Sequence, residues 1–237
     1  MDLGQIIETK DGSLTLVHPE HEQAYHSTSG ARFEARALYL FGSGVAEQFE
    51  TGRYVSILDV GLGLGYNALE TISYWLETPY PGPLNIVSLE HNGDLVKALL
   101  SGQAPWQKDT SKIWQKRLAS AQWLSENRAF ISISHPMGSI CHWEIVVGDA
   151  LAFESRQQFS HVYHDPFSID KNPNLWSKEW FVKVNEHASD DCVLVTYSVA
   201  RKVREALKDG GWLCEKFNSP GRSKRDWLKA SPSTSET

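Results

Sequence analysis

Apolar residues in this chain come in short blocks separated by stretches where they recur at helical spacing. Residues 5–17 (QIIETKDGSLTLV) form two apolar stretches around Asp11-Gly12, which predicts a β-hairpin. Residues 21–48 are mixed, and Gly42-Ser43-Gly44 interrupts a helix-like stretch there. From residue 55 the rhythm becomes β-α-β. VSILDV at 55–60 predicts a buried strand, 61–65 a tight turn and 66–76 a helix. Pro79, Pro81 and Pro83 precede a second strand at 84–90, and a helix starts within 95–100. Residues 108–128 predict a Trp-studded helical stretch. Residues 130–134 and 140–147 flank His135-Pro136-Met137-Gly138 as a hairpin. Strands at 161–165, 192–198 and 212–217 then alternate with helices at 177–187 and 200–208, the latter closed by Gly210-Gly211. Strands separated by helices predict a mainly parallel sheet covered on both faces.

A length of 237 residues suits one α/β domain. The pattern divides it into an N-terminal hairpin and lid-like segment at 1–50, the main domain at 51–230, and a frayed tail at 231–237 (SPSTSET). With 41% hydrophobic and 22% charged residues, disorder is excluded as the main state. No apolar run reaches ~18 residues, so no membrane span is expected, and the first residues carry no secretory signal pattern. Cys141, Cys192 and Cys214 are odd in number and far apart, which predicts a reduced, cytoplasmic protein without a disulfide or zinc framework. No His/Asp spacing suggests a metal site. Trp75, Trp114, Trp123 and Trp180 read as packing residues.

The net charge of −6 argues against a non-specific nucleic-acid coat. It is unevenly spread. Residues 199–230 hold nine Lys/Arg against four acids, a charge of +5, leaving about −10 on residues 1–198 once Glu236 is counted. A basic end on an acidic body can dock a polyanion locally, with Lys224 and Arg225 as phosphate contacts.

Four segments carry candidate chemistry. In Asp59-Val60-Gly61-Leu62-Gly63-Leu64-Gly65-Tyr66-Asn67, glycines alternate where a strand ends and a helix begins. They let the backbone turn sharply and approach a ligand with no Cβ in the way. The third glycine falls one place early for the nicotinamide fingerprint. The plain alternative is a strand–helix turn without a ligand. Second, Glu90 ends the 84–90 strand, where a carboxylate can accept from both hydroxyls of a ribose or simply be solvated. Third, Asp149, followed by Ala150, can cap the next helix or accept from an adenine amino group. Fourth, Asp165-Pro166-Phe167 stands at the carboxyl end of a strand, which in an open α/β sheet faces the ligand crevice. An amine attacking a methyl group must be neutral and aligned and loses a proton, and a carboxylate can orient it and take that proton. Asp165 can otherwise cap its own loop, and His164 is a further acid–base candidate.

The glycine turn resembles motif I of the class I S-adenosylmethionine-dependent methyltransferases. The run Asp165–Trp176, with Lys171, Asn172, Pro173 and Leu175, resembles the Asp-x-Phe-(Ala/Ser)-Pro-x-Lys-Asn-Pro-x-(Leu/Met)-Trp segment of one group among them. That group is the methyltransferase domain that finishes 5-methylaminomethyl(-2-thio)uridine at the wobble position of bacterial tRNA. Tyr25-His26-Ser27 with Gly30 to Glu34 resembles its segment before motif I. Thr196 to Arg201, Val203-Arg204, Gly210 to Trp212 and Gly221 to Arg225 resemble its closing motifs. Pro166 replaces a frequent Gly or Ala, and Ile169 replaces a Pro. The resemblance covers roughly residues 5–230 and implies a Rossmann-like class I methyltransferase fold with a mid-chain insertion. It implies S-adenosylmethionine as cofactor, tRNA as partner and Asp165 as the catalytic carboxylate. Glu34, Asp59, Gly61, Gly63, Gly65, Asn67, Glu90, Asp149 and Ala150 are then expected on the cofactor. Pro166, Phe167, Lys171, Trp176, Lys224 and Arg225 are expected on the substrate. Many members are fused to a flavin-dependent oxidase, for which 237 residues leave no room; a stand-alone form with a separate upstream oxidase is expected. Two rivals remain: a transferase acting on small amines of the polyamine type, and a binding module of the same fold without turnover.

Overall fold

The computed structural model describes residues 3–108, 110–218 and 226–233. The chain opens with the hairpin β1 (Gln5–Glu8) and β2 (Leu14–Val17), turning at Asp11-Gly12. The Asp11 carboxylate accepts from Thr9 Oγ1 (2.7 Å), Ser13 N (3.0 Å) and Phe33 N (2.9 Å). One turn residue thereby ties the hairpin to α1 (Ala31–Glu34), which runs into a π-helical stretch at Ala35–Phe41 before α2 (Val45–Glu50).

Strands and helices then alternate: β3 (Val55–Val60), α3 (Tyr66–Glu77), β4 (Leu84–Glu90), α4 (Gly93–Leu100), α5 (Lys112–Ala119), β5 (Gln122–Ser125), β6 (Arg128–Ser134) and β7 (Ile140–Val147). They continue with β8 (Phe159–His164), α6 (Lys178–Glu186), β9 (Ala188–Thr196), α7 (Arg201–Asp209), β10 (Trp212–Asn218) and β11 (Asp226–Pro232). Nine of the described strands form one sheet in the order β10-β11-β9-β8-β3-β4-β7-β6-β5. The middle five, β9 to β7 in that order, are parallel, and both flanks are antiparallel.

Alternation along the central strands feeds two cores. Val55 and Ile57 of β3 join Ile86, Trp75 and Trp143 on one face. Leu58 and Val60 join Val87, Val162, Trp180 and Phe181 on the other. Each such aliphatic or Phe side chain contributes about 1.5–3 kcal/mol on burial, so the sheet that carries the strand ends is firmly held. All three cysteines are free.

Three expectations fail here. The helical stretch at 108–128 shrinks to α5, because Ser120 N closes the last turn onto Lys116 O and Arg117 O and the chain then pairs as β5 against β6. Trp123 on that edge strand is 41% exposed, so it is not a core residue. The tail at 231–237 does not fray from its start. Ser231 and Pro232 close β11 opposite Leu213 and Trp212. β11 itself is charged in sequence yet buries Trp227, Leu228 and Ala230.

Candidate active site

The five parallel strands end on one side of the sheet, and the order reverses at β3, between β8 and β4. That switch point is where open α/β sheets leave a ligand crevice. A cavity of about 610 Å³ lies there, within the size range of small-molecule sites. Its floor is the strand ends: Gly61 and Gly63 after β3, Glu90 at β4, Gly148 and Asp149 after β7, Asp165 after β8 and Tyr197 after β9. With neighbouring strands ~4.8 Å apart, this floor spans on the order of 19 Å. The roof is the segment between β2 and α1, with His18, His21, Gln23, Tyr25 and His26, together with Glu34 of α1.

The glycine turn is stitched to the neighbouring strand. Gly61 N and Leu62 N both donate to Leu89 O, and Gly63 N donates to Glu90 Oε2 at 2.8 Å. Gly61 (φ +88°) has Asp165 O only 2.7 Å from the position a Cβ would take, so the turn passes directly under the β8 end. Glu90 Oε1 also accepts from Asn92 N (2.9 Å). Burial raises the Glu90 pKa, and the backbone N–H groups of Asn92 and Gly63 work against that rise. Asp149 accepts from Leu151 N (2.9 Å), so it does cap the short turn Ala150–Ala152, and it lines the cavity as well.

At the other end, Asp165 is locked by its own N–H to Val60 O (2.9 Å) and by Asn67 Nδ2, which donates to Asp165 Oδ2 at 2.9 Å. Its pKa is raised well above the usual carboxylate value by burial and then by the negative charge of Glu34; the hydrogen bond from Asn67 opposes this. Glu34 Oε2 accepts from Ser27 N (3.2 Å). The loop after Asp165 is braced twice: Tyr197 Oη donates to Pro166 O (2.9 Å) and Trp176 Nε1 to Phe167 O (2.8 Å).

Of the residues singled out from sequence, Glu34, Gly61, Gly63, Glu90, Asp149, Ala150, Asp165, Pro166, Phe167 and Lys171 line the cavity. Four others do not, and each acts at one remove. Asp59 is fully buried behind the turn, where its Oδ2 accepts from Ser88 Oγ (2.7 Å) and burial pushes its pKa up to about 7. Gly65 (φ +85°) starts α3 against Leu99. Asn67 holds Asp165, and Trp176 braces Phe167 from the core. His164 is fully buried among Trp176, Trp180 and Phe181, away from the cavity, and burial lowers its pKa to about 3. Lys224 and Arg225 lie outside the described residues. Sequence reasoning missed His18, His21, Gln23, His26 and Tyr197 as cavity residues. Only Tyr25, His26 and Tyr197 carried a signal, as parts of motifs whose partners could be placed.

The comparisons agree with this geometry. A family model described as S-adenosyl-L-methionine-dependent methyltransferase matches residues 109–233, more than half of the chain. The chain is 30% identical over 224 residues to the tRNA 5-methylaminomethyl-2-thiouridine biosynthesis bifunctional protein MnmC of Acidovorax sp., covering 91% of this chain and 34% of that protein. It is 26% identical over 224 residues to an uncharacterised protein of Methanocaldococcus jannaschii, covering 92% of this chain and 57% of that one. The crystal structure of MNMC2 from Aquifex aeolicus superposes with a TM-score of 0.77 at 26% identity, covering 96% of this chain and 70% of that one. The chain thus spans about a third of the length of the bifunctional relatives it matches.

Proposed function

The chain belongs to the S-adenosyl-L-methionine-dependent methyltransferase family, and from that premise we propose that it methylates the 5-aminomethyl nitrogen of a wobble uridine in tRNA. The cavity suits the cofactor. Gly61, without a Cβ, lets the turn pass against the Asp165 backbone, and Gly63 keeps a side chain out of the space below Tyr25 and His26. Glu90, after accepting two backbone N–H groups, keeps lone pairs for ribose hydroxyls. His26 is buried, lines the cavity, and has an Nε2 without a partner that stands 3.8 Å from the Cβ position of Gly63. Such an orphaned polar atom calls for a ligand group or an ordered water. When bound, S-adenosyl-L-methionine supplies a methyl carbon on a positively charged sulfur that leaves as a neutral thioether.

The remaining work falls to the chain. Glu34, Glu90 and Asp165 make the cavity acidic, which favours cations, including a protonated amine. The acceptor nitrogen must shed a proton to use its lone pair. Asp165, fixed by Asn67, orients the N–H and accepts that proton, and its raised pKa makes it a stronger base than an exposed aspartate. The observation that carries this reading is that fixed carboxylate at the crevice end of β8, inside the run 165–176. The name of the bifunctional relatives that match most of the length of this chain supports tRNA as substrate. A flavin-dependent oxidation acting upstream would expose the amine beforehand.

The test is to incubate the protein with labelled cofactor and bulk tRNA from cells lacking the gene, then digest and identify the labelled nucleoside. Label in 5-methylaminomethyl-(2-thio)uridine is expected. Label that appears only with free polyamines would select a small-amine transferase, and cofactor binding without transfer to either would select a binding module.

A further inference from the structure

The roof of the cavity carries a cluster of rings that the cofactor does not require. His18 and His21 stack at 4.3 Å and 22°. Phe167 stands edge-on to both, at 5.3 and 4.9 Å, and Tyr25 lies 5.0 Å from Phe167. All four rings are half-buried and line the cavity; His18, His21 and Phe167 gather at the loop after Asp165, and Tyr25 reaches from there toward the turn at Gly63.

The loop that presents them is tightly built. His18 N donates to Gln23 O and Glu22 N to His18 O, both at 2.9 Å. His18 Nδ1 accepts from Glu20 N and His21 N, both at 3.2 Å. Gln23 Oε1 accepts from Ser168 N (3.3 Å) and Ser168 Oγ (2.9 Å), pinning this loop to the one that follows Asp165. Glu22 has a φ of +51°, the sole positive value on a non-glycine among the described residues. Strain of that kind persists only where surrounding contacts over-determine it. Burial and the neighbouring His21 also keep His18 neutral, which suits Nδ1 as an acceptor and leaves the ring free of charge for stacking.

We propose that His18, His21 and Phe167 form the stacking wall that holds the acceptor ring, an unstacked pyrimidine of RNA, while its amine faces Asp165. The proposal rests on the tRNA reading above. A ring held on aromatic side chains is how single-stranded bases are commonly gripped. Lys171, exposed and the one Lys or Arg lining the cavity among the described residues, adds a cation at the rim where a nucleotide's phosphate would stand. A stacking wall plus a cation at the rim fits the ring and the phosphate of a nucleotide, neither of which a flexible polyamine has.

The experiment compares wild type, His21→Ala and His21→Phe on an anticodon stem-loop bearing the 5-aminomethyl group, with S-adenosylhomocysteine binding measured by calorimetry. His21→Ala should raise the KM for the stem-loop roughly 5- to 100-fold, the range of a lost base-stacking contact. His21→Phe, which keeps a flat ring, should stay within about 3-fold of wild type, and S-adenosylhomocysteine should bind all three alike. An unchanged KM in His21→Ala, or equal damage in both variants, overturns the wall. Failure of the wild type to methylate any RNA overturns the tRNA reading and the wall together, a result distinct from an active wild type with indifferent variants.

Discussion

At the glycine-turn end of the cavity, the polar contacts come from the strand ends and the residues that directly follow them. Gly61 and Leu62 hang on the last carbonyl of β4 but one, Gly63 hangs on Glu90, and Asp149 caps the turn that follows β7. At the Asp165 end, one strand supplies the carboxylate and everything around it is borrowed: Asn67 from α3, Tyr197 from after β9, Glu34 from α1, and the ring cluster from the loop after β2. The first end is a local product of consecutive residues on parallel strands. The second is an assembly of distant segments. The two ends meet where the backbone of Gly61 runs under Asp165.

The largest effect should come from filling the shared turn. Gly63 has φ +54°, a left-handed conformation that a branched residue resists, and a Cβ there would lie 3.3 Å from Tyr25 Cδ1. Gly63→Val should abolish S-adenosylmethionine and S-adenosylhomocysteine binding in calorimetry while the fold persists by circular dichroism. Cofactor binding at wild-type affinity would detach the turn from the cofactor and undo the division of the cavity into two ends.

The next effect separates the ends. Asp165→Asn keeps the size and can still accept from Asn67, but it removes the proton acceptor. Turnover should fall by roughly 10²-fold or more, with cofactor affinity little changed. The folded-state pKa of Asp165 is raised above its ordinary value, so its neutral form favours folding at low pH and its ionisation works against folding as pH rises. The Asn variant should therefore melt at a higher temperature than wild type at pH 8, the trade expected where a site stores unfavourable charge. In wild type, the rate should climb with pH as Asp165 and the amine both lose their protons. Loss of cofactor binding in Asp165→Asn would make the residue structural and move the chemistry elsewhere.

The same contrast explains what the sequence disclosed. The turn at 61–65, Glu90 and Asp149 were legible because their neighbours in space are their neighbours in sequence or lie on adjacent strand ends, where pattern alone fixes the position. Asp165 was legible for the same reason. The roof was not. Nothing local in His18, His21 or Gln23 reveals that Gln23 pins their loop to Ser168, or that the hairpin turn residue Asp11 holds α1. Asp59 misled for a related reason: a motif residue at a strand end reads as exposed to the ligand, yet the β3 pleat turns its side chain inward to Ser88. Strand β11 hid because its apolar positions, Trp227, Leu228 and Ala230, are set among charged and polar ones.

A smaller effect is expected at the junction of the two ends. His26→Phe keeps a ring against Tyr66, which His26 meets edge-on at 5.1 Å, and removes the orphaned Nε2. If that nitrogen meets the cofactor, S-adenosylhomocysteine affinity should drop about 10-fold, as for one hydrogen bond to a polar or charged group. Unchanged affinity would assign the nitrogen to water.

The smallest effect sharpens the comparison most, because it sets Asp59 beside Asp165. Asp59 and Asp165 are both driven up by burial, but only Asp165 reaches the cavity. Asp59 has an ordinary pKa of 3.8 and about 7 in the fold. Its neutral form therefore contributes stability that is fully present below the unfolded value and is lost as pH rises through about 7. Asp59→Asn removes that titration. At pH 5 the variant should melt slightly below wild type, because its amide places an NH2 where Asp59 Oδ1 has no partner. At pH 8.5 wild type must carry a buried charge and the order should reverse, with a shift of a few degrees (~1 kcal/mol for a domain of this size). Methyl transfer at pH 7 should change far less than in Asp165→Asn. Melting curves that stay parallel across this pH range would mean that Asp59 does not titrate there. A loss of turnover matching that of Asp165→Asn would mean that the turn end, too, depends on a carboxylate set behind the cavity wall.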